Sequence, residues 1–131
     1  MLESYVVLDL TDERGEIGPM LLGDLGADVI RIEATQGSDA RRCEPFMTNA
    51  AEDMKSLQFI AFNRNKRSIV LDPATANDKA DLEELIGRAD FIFVSEPGSE
   101  LDKFGMGFDE ARSINPRIIY VSVSAFGIDG P

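Results

Sequence analysis

The sequence predicts an α/β fold with an open, mostly parallel sheet of about five strands and flanking helices. Short apolar runs of strand length alternate along the chain with segments of helical spacing. This alternation is typical of parallel sheets whose strands are joined by crossover helices. An apolar fraction of 44% is ordinary for a globular protein, so residues 1–131 are expected to form one domain.

The first three elements form a predicted βαβ unit. Residues 5–10 are a largely apolar run that ends at Thr11, as a buried strand does. Residues 19–25 follow as a short helix. Pro19 suits the first turn of this helix, and Gly26 suits its C-terminal end. Residues 27–33 are the second strand, and this order predicts parallel pairing through a right-handed crossover.

A long loop is predicted for residues 34–55, with one helical turn inside it. Gly37 and Pro45 interrupt the segment, and no periodicity is sustained. Loops of this length are uncommon in compact domains and are often functional. Residues 56–63 are then predicted as a short helix, and residues 68–72 as the third strand.

The second half of the chain continues the alternation. Residues 78–88 have apolar side chains at helical spacing, acids early and Arg88 late, as the helix dipole prefers. Residues 91–94 are the fourth strand, whose unbroken apolar character fits burial on both faces. Residues 109–113 are predicted to be helical, and residues 117–124 form the last strand.

The charge distribution limits the kinds of binding partner that we expect. The net charge of −11 argues against a nucleic-acid binder, whose footprint is a broad basic surface. Residues 31–67 nevertheless hold seven bases against five acids, so this segment carries +2 and the remainder −13. The segment is either a place for a small anionic ligand or a solvated loop with surface ion pairs.

Residue types exclude several kinds of site. With no histidine, these residues alone supply no Ser-His-Asp or Cys-His unit and no His-ligated metal site, so no metal is expected. Cys43 is the single cysteine and fits a reducing compartment. No secretory signal and no apolar run of the roughly 18 residues that span a membrane are present, so we expect a cytoplasmic protein without membrane contact.

Two nucleotide-binding motifs are missing. No G-x-G-x-x-G follows the first strand, and no G-x-x-x-x-G-K-[ST] occurs, which argues against an NAD enzyme and a P-loop ATPase. Residues 62–68 instead place Arg64, Lys66 and Arg67 directly before a strand. Arginine binds phosphate oxygens through two parallel hydrogen bonds, and lysine acts as a point charge. The alternative for this run is a solvated turn.

A series of segments, all in the same order, resembles the class III CoA-transferases, the family also named after carnitine CoA-transferase and the bile-acid-inducible proteins. Residues 62–72 are similar to the family's N-[RK]-[GN]-K-[RK]-S…LD segment. The other matching segments are residues 7–11, 22–33, 37–42, 89–94, 97–98, 105–108, 115–120 and 122–131. The resemblance covers nearly all 131 residues, which makes it more specific than any single motif.

The resemblance implies a Rossmann-like domain at the front of an enzyme that moves CoA between carboxylic acids. Its substrates would be an acyl-CoA and a carboxylic acid, and the whole protein would be an interlocked homodimer. An aspartate would attack the acyl-CoA carbonyl and form an anhydride and then an enzyme–CoA thioester. The best candidates for contact with the CoA phosphates are Arg41, Arg42, Arg64, Lys66, Arg67 and Lys103.

The sequence ends at a Gly-Pro turn, residues 125–131. We therefore expect the front part of a larger enzyme, with the catalytic aspartate beyond Pro131 and no transferase activity in residues 1–131 alone. We also expect exposed sheet edges and hence self-association of residues 1–131.

Three positions depart from the family pattern. Residues 12–19 replace an Ala-Gly-Pro stretch, residues 94–96 (Val-Ser-Glu) replace Asn-Phe-[RK], and Lys103 is displaced by one residue. Two alternatives stay open. One is a 2-methylacyl-CoA racemase, and the other is a non-catalytic binding module, which Glu96 favours.

Overall fold

The computed structural model describes residues 1–51 and 55–127, which form one parallel sheet with helices on both faces. The strands are β1 (Val6–Leu10), β2 (Asp28–Glu33), β3 (Lys66–Val70), β4 (Phe91–Ser95) and β5 (Ile119–Val123). The helices are α1 (Ile17–Asp24), α2 (Leu57–Phe62), α3 (Ala76–Arg88), α4 (Glu100–Lys103) and α5 (Phe108–Ile114), and a 3-10 turn spans Asp39–Arg42.

The strand order is β3-β2-β1-β4-β5, and every pair is parallel. The chain runs outward from β1 through β2 to β3 and then returns to the other side of β1 as β4. The order therefore reverses between β1 and β4, as in Rossmann-like sheets. The predicted α/β fold is confirmed, and the reversal point sets the place where a ligand crevice is expected.

The two faces of the sheet are covered differently. On one face, Leu8 and Ile92 are buried in the main hydrophobic core with Leu82 and Ile86 of α3. On the other face, Val7 belongs to a smaller apolar cluster at the amino-terminal half of the strands. Because side chains alternate along a strand, the same face carries charged residues further toward the carboxyl ends. That face holds the candidate site.

The structure shifts one predicted strand and adds one helix. The third strand begins at Lys66 instead of residue 68, because Lys66 pairs with Val29 of β2. Helix α4 was not predicted, since it is only four residues long. It is held by a capping box in which Ser99 Oγ accepts from Asp102 N (3.1 Å) and Asp102 Oδ2 accepts from Ser99 N (2.9 Å).

The remaining predicted elements lie within about two residues of their observed bounds, including the helical turn inside the long loop. Residues 128–131 of the predicted terminal turn lie outside the described residues. Across residues 1–51 and 55–127, no helix is both long and apolar enough to span a membrane.

Candidate functional site

A crevice of about 90 Å³ opens at the carboxyl ends of β1, β2 and β4. It lies at the reversal of strand order, where doubly wound sheets bind their ligands. Its walls come from three parts of the chain, which are residues 10–12, most of residues 31–39, and Ser95 with residues 98–100 and 103. The volume suits a group the size of a phosphate, so a larger ligand would extend over the rim.

The ends of β1 and β4 are joined beside this crevice. Asp12 N donates to Ser95 Oγ (3.0 Å), and Ser95 Oγ donates to Asp12 Oδ1 (2.7 Å). Burial opposes ionisation of Asp12, yet Arg14 and the Ser95 hydroxyl hold the pKa of its carboxyl group below the usual range. This pair fixes the loop after β1 against the end of β4.

Glu33, at the end of β2, is a buried carboxylate with a full set of donors. Arg41 donates from Nε and Nη2 to its two oxygens, both at 2.7 Å. Ser38 N (2.9 Å) and Ser68 Oγ (2.6 Å) complete the set. Burial acts to raise the pKa of Glu33, but these bonds outweigh it and lower the pKa to about 2. Glu33 is therefore ionised and fixes the turn that begins at Ser38.

Arg41, a predicted phosphate ligand, is consequently engaged within the protein. Besides its two bonds to Glu33, its guanidinium lies 4.0 Å from the centroid of the Phe59 ring. Its side chain is 20% exposed. The guanidinium stacks and pairs in the way that suits arginine at a partly buried site.

Arg31, in the middle of β2, is the centre of a buried polar cluster. Nη1 donates to Asp9 Oδ2 at 3.0 Å, and Nη2 lies 2.8 Å from Glu16 Oε1. Nη2 also contacts Thr11 O (3.2 Å) and Ser38 Oγ (2.7 Å). The Arg31 guanidinium thus ties together β1, the loop before α1 and the turn after β2, and Arg31 is one of the residues that line the crevice.

Lys66 enters the same cluster from β3. Its Nζ donates to Asp9 Oδ2 (2.7 Å), Asn63 Oδ1 (3.0 Å) and Glu16 O (3.1 Å). These three bonds use all the donors of an ammonium group. Burial lowers the pKa of Lys66, and Asp9 opposes this shift. The side chain is buried, and its ammonium faces three protein oxygens.

Two buried polar atoms in this cluster have no hydrogen-bond partner among the described residues. They are Glu16 Oε2 and Arg31 Nε. Burial raises the pKa of Glu16, while Arg31 and the Asn63 side chain oppose the shift. Unpaired buried polar groups are rare in folded proteins, so each of these atoms calls for an explanation.

The other predicted phosphate ligands lie at two separate places. Lys103 lines the crevice and pairs with Glu100 at 2.6 Å. Arg42 lies beside the crevice, in an ion pair with Asp39 and a 3.1 Å bond to Gln36 O.

The other two predicted ligands are at the opposite end of the sheet. Arg64 binds Asp24 at 2.6 Å, and Arg67 binds Asp28, the first residue of β2, at 2.5 Å. Arg64 lies just before β3 and Arg67 lies at its start. In a parallel sheet, all strands begin at the same end of the sheet. Arg64 and Arg67 therefore lie at the end of the sheet formed by the amino ends of the strands. The structure does not bring the six predicted residues together.

Sequence reasoning did not single out Arg31, Glu33 or Ser38 as site residues. A signal was present, because Arg31 and Glu33 alternate with apolar residues in a strand that is buried overall. Such alternation predicts one polar face. Within residues 1–51 and 55–127, no group of three carboxylate or thiol side chains is arranged to hold a metal ion.

Comparisons with known proteins agree with this architecture. Residues 2–131 match the sequence profile of CoA-transferase family III. The chain is 40% identical over 131 residues to the formyl-CoA:oxalate CoA-transferase of Streptomyces avermitilis, covering 99% of this chain and 31% of that protein. It is 36% identical over 127 residues to the succinyl-CoA:mesaconate CoA-transferase of Haloarcula hispanica, covering 96% of this chain and 32% of that one.

Solved structures show the same likeness. The crystal structure of a CAIB/BAIF family protein from Brucella suis superposes with a TM-score of 0.86 at 33% identity, over 98% of this chain and 34% of that one. Rv3272 from Mycobacterium tuberculosis gives a TM-score of 0.79 at 35% identity, over 100% of this chain and 35% of that one. The chain spans about a third of the length of these relatives.

Proposed function

Since the chain belongs to CoA-transferase family III, we propose that the whole protein transfers CoA between carboxylic acids and binds its acyl-CoA at the crevice between β1 and β4. The observation that carries this proposal is the position of the crevice at the reversal of strand order, where sheets of this kind bind nucleotides. The names of the relatives, which are CoA-transferases acting on oxalate or mesaconate, support the reaction class.

Lys103 is the predicted phosphate ligand with the best position for this role. It lines the crevice, and its partner Glu100 lies three residues away on the same short helix. An exposed ion pair of this kind contributes at most about 1 kcal/mol, so a doubly charged phosphate competes with it. Arg42 has the same arrangement with Asp39. Arg64 and Arg67 would contact CoA only if part of the ligand reached the amino ends of the strands, opposite the crevice.

The nucleophile is assigned to an aspartate outside residues 1–131. Asp9, near the end of β1, is fully buried and accepts from Arg31, Lys66 and Thr11. A carboxylate so engaged does not attack a thioester. The proposed aspartate attacks the acyl carbonyl and releases the CoA thiolate, which then attacks the enzyme's carbonyl of the mixed anhydride. The donor carboxylate leaves, and the CoA stays on the enzyme for the acceptor acid.

Glu96 is the feature that favoured a non-catalytic module, and its contacts weaken that alternative. Its carboxylate accepts from Tyr120 Oη (3.0 Å) and Ser122 Oγ (2.7 Å), both on β5. Glu96 is also not part of the crevice wall. Its negative charge is therefore held by hydroxyl groups of β5 instead of facing the proposed phosphate site.

The test is thioester exchange by the full-length protein. Succinyl-CoA or formyl-CoA is incubated with oxalate, mesaconate or glutarate, and new CoA thioesters are measured by mass spectrometry. We expect exchange with at least one acceptor, and none by residues 1–131 alone. Absence of exchange together with absence of CoA binding would support a non-catalytic module. Deuterium incorporation into 2-methylacyl-CoA in D₂O, without exchange, would support a racemase.

A second experiment tests the position of the ligand. Lys103→Ala should weaken CoA binding in calorimetry by a factor of about 3 to 5, which matches the loss of one exposed ionic contact. Arg88→Ala is the matched control, because Arg88 pairs with Glu84 at the exposed face of α3, away from the crevice. Equal affinities of the two variants would place CoA elsewhere.

A further inference from the structure

The two carboxylates of the buried cluster are hydrogen-bonded to different extents. Asp9 accepts from Thr11 N (3.0 Å), Thr11 Oγ1 (2.6 Å), Arg31 Nη1 (3.0 Å) and Lys66 Nζ (2.7 Å). Glu16 Oε1 accepts from Asn63 Nδ2 (3.0 Å), whereas its buried Oε2 has no hydrogen-bond partner among the described residues. Hydrogen bonds to a carboxylate favour its ionised form. Glu16 is therefore the carboxylate of this cluster that takes up a proton more readily.

The charged groups around Glu16 come from three strands. Arg31 of β2 lies 2.8 Å from Glu16 Oε1, and Lys66 of β3 donates to the Glu16 backbone oxygen at 3.1 Å. Asp9 of β1 is bonded to both cations through Oδ2. Burial raises the pKa of Glu16 and Asp9 adds to the shift, while the two cations oppose it. Cys43 also lies near Glu16, but burial raises the pKa of its thiol, which stays neutral.

A proton on Glu16 changes the net charge of the cluster. With Asp9, Glu16, Arg31 and Lys66 all ionised, the four charges sum to zero. With Glu16 protonated, the cluster carries one positive charge. Buried charges are screened much less than exposed ones, so this change acts on the surroundings of the cluster.

One nitrogen of Arg31 connects Glu16 to the crevice. Nη2 donates to Thr11 O (3.2 Å) and Ser38 Oγ (2.7 Å), and these two bonds use both of its hydrogens. Thr11 and Ser38 belong to two different parts of the crevice wall. The same Nη2 lies 2.8 Å from Glu16 Oε1. The charge on Glu16 is therefore one contact away from both parts of the wall.

The acids that line the crevice are each paired with a cation. The pairs are Asp12 with Arg14, Glu33 with Arg41, Asp39 with Arg42, and Glu100 with Lys103. Their negative charges are compensated locally. The protonation of Glu16 thus adds a positive charge beside a wall whose own charges are balanced.

We propose that Glu16 couples the binding of an anion in the crevice to the uptake of one proton. The positive cluster with protonated Glu16 attracts an anion more strongly than the neutral cluster does. By reciprocity, a bound anion favours the protonated form of Glu16. Affinity for the anion therefore falls as the pH rises. The proposal rests on the proposed function, since the anion would be a phosphate group of CoA.

The experiment measures sulfate and CoA binding to the full-length protein between pH 5 and pH 8 by calorimetry. Sulfate is a tetrahedral dianion of the size of phosphate, and its charge stays constant over this range. We expect its affinity to fall about fivefold or more as the pH rises, as is typical of coupled sites. Glu16→Gln should remove this fall. Glu84→Gln, at an exposed ion pair of α3, is the control and should keep it.

Infrared difference spectroscopy on the wild type is a second measurement, which does not depend on the folding of a variant. At a pH where the affinity is falling, sulfate should convert one carboxylate into a protonated carboxyl group. The spectrum should gain an acid C=O band, which shifts in D₂O, and lose a carboxylate band. Binding of sulfate without these changes would overturn the proposal.

The outcomes separate this inference from the proposed function. If CoA and sulfate bind with the same pH profile in the wild type and in Glu16→Gln, the coupling is wrong and the proposed function stands. If sulfate binds with the expected pH dependence and CoA does not bind, the coupling stands and the proposed function fails. If neither binds, the crevice is not an anion site and the coupling is overturned.

Discussion

Lys66 Nζ lies 2.7 Å from Asp9 Oδ2, with exposed side-chain fractions of 1% and 0%. Lys66 belongs to β3 and Asp9 to β1, and β2 runs between these strands. The lysine stem therefore crosses β2 to reach the carboxylate. A buried pair of this kind gives modest net stability, but removing one partner leaves an uncompensated charge in the interior.

Replacing Lys66 by methionine should consequently be costly. Lys66→Met keeps the apolar stem and removes the ammonium, so Asp9 loses the closer of its two cationic donors. We expect the free energy of unfolding to fall by about 3–5 kcal/mol, measured by urea denaturation. Lys103→Met is the control, since the exposed Lys103 pair contributes at most about 1 kcal/mol. Similar losses in the two variants would show that Lys66 is not a buried charge partner.

Glu33 should make the protein sensitive to acid. Its pKa is about 2 in the folded state, against an ordinary value of 4.5. A lowered carboxyl pKa adds stability that is fully present above pH 4.5 and is lost as the pH falls toward 2. We expect a loss of roughly 3 kcal/mol from this residue over that range.

The measurement for Glu33 is unfolding free energy between pH 6 and pH 2.5. Glu33→Gln should be less stable than the wild type at pH 6, with a gap that narrows as the pH falls. Glu84→Gln, at an exposed ion pair of α3, is the control. A gap between wild type and Glu33→Gln that stays constant with pH would contradict the assignment of this pKa.

Glu16 should affect the pH dependence of stability in the opposite direction to Glu33. Burial raises its pKa, so the folded protein holds this proton more tightly than the unfolded chain does. Stability from a raised carboxyl pKa is present below the ordinary value and declines as the pH rises through the folded value. Glu16→Gln keeps an oxygen that can accept from Arg31 and Asn63 and removes the titration.

We therefore expect Glu16→Gln to gain stability relative to the wild type as the pH rises above 4.5. Thermal unfolding between pH 4 and pH 8 measures this difference, with Glu84→Gln again as the exposed control. The wild-type curve should fall away from that of Glu16→Gln on the alkaline side. Parallel curves would mean that Glu16 ionises as easily in the folded protein as in the unfolded chain.

The fold could be predicted from sequence because its signals are local. Each strand is a short apolar run, and helix α3 begins at Thr75, whose hydroxyl accepts from Asp78 N. The start of β3 could not be predicted in the same way. Lys66 and Arg67 do not resemble strand residues, and only their pairing with β2 makes them part of the sheet.

The site was predicted less well, for a physical reason. Composition and motif favour exposed cations as phosphate ligands, and lysine and arginine are usually exposed. Lys66 and Arg31 are buried because Asp9, which is 57 and 22 residues away from them in sequence, compensates both. No local pattern encodes such distant pairing. The place of the crevice follows from the observed strand order, whereas its buried cation does not.

The outer strands of the described sheet should drive self-association of residues 1–131. Ile119 of β5 is 51% exposed and Val70 of β3 is 54% exposed, so both edge strands present apolar side chains. Uncharged edge strands pair readily with other chains, and a lysine on such an edge opposes pairing. Of the two edges, β5 has no charged residue, whereas β3 carries the exposed Arg67.

Ile119→Lys should therefore reduce the association of residues 1–131, as measured by light scattering coupled to size-exclusion chromatography over a range of concentrations. Val70→Lys is the matched substitution on the other edge and should have the smaller effect, because β3 is already charged. Equal effects of the two substitutions would point to general solubility instead of pairing at β5. An unchanged mass in Ile119→Lys would show that β5 is not the surface of contact.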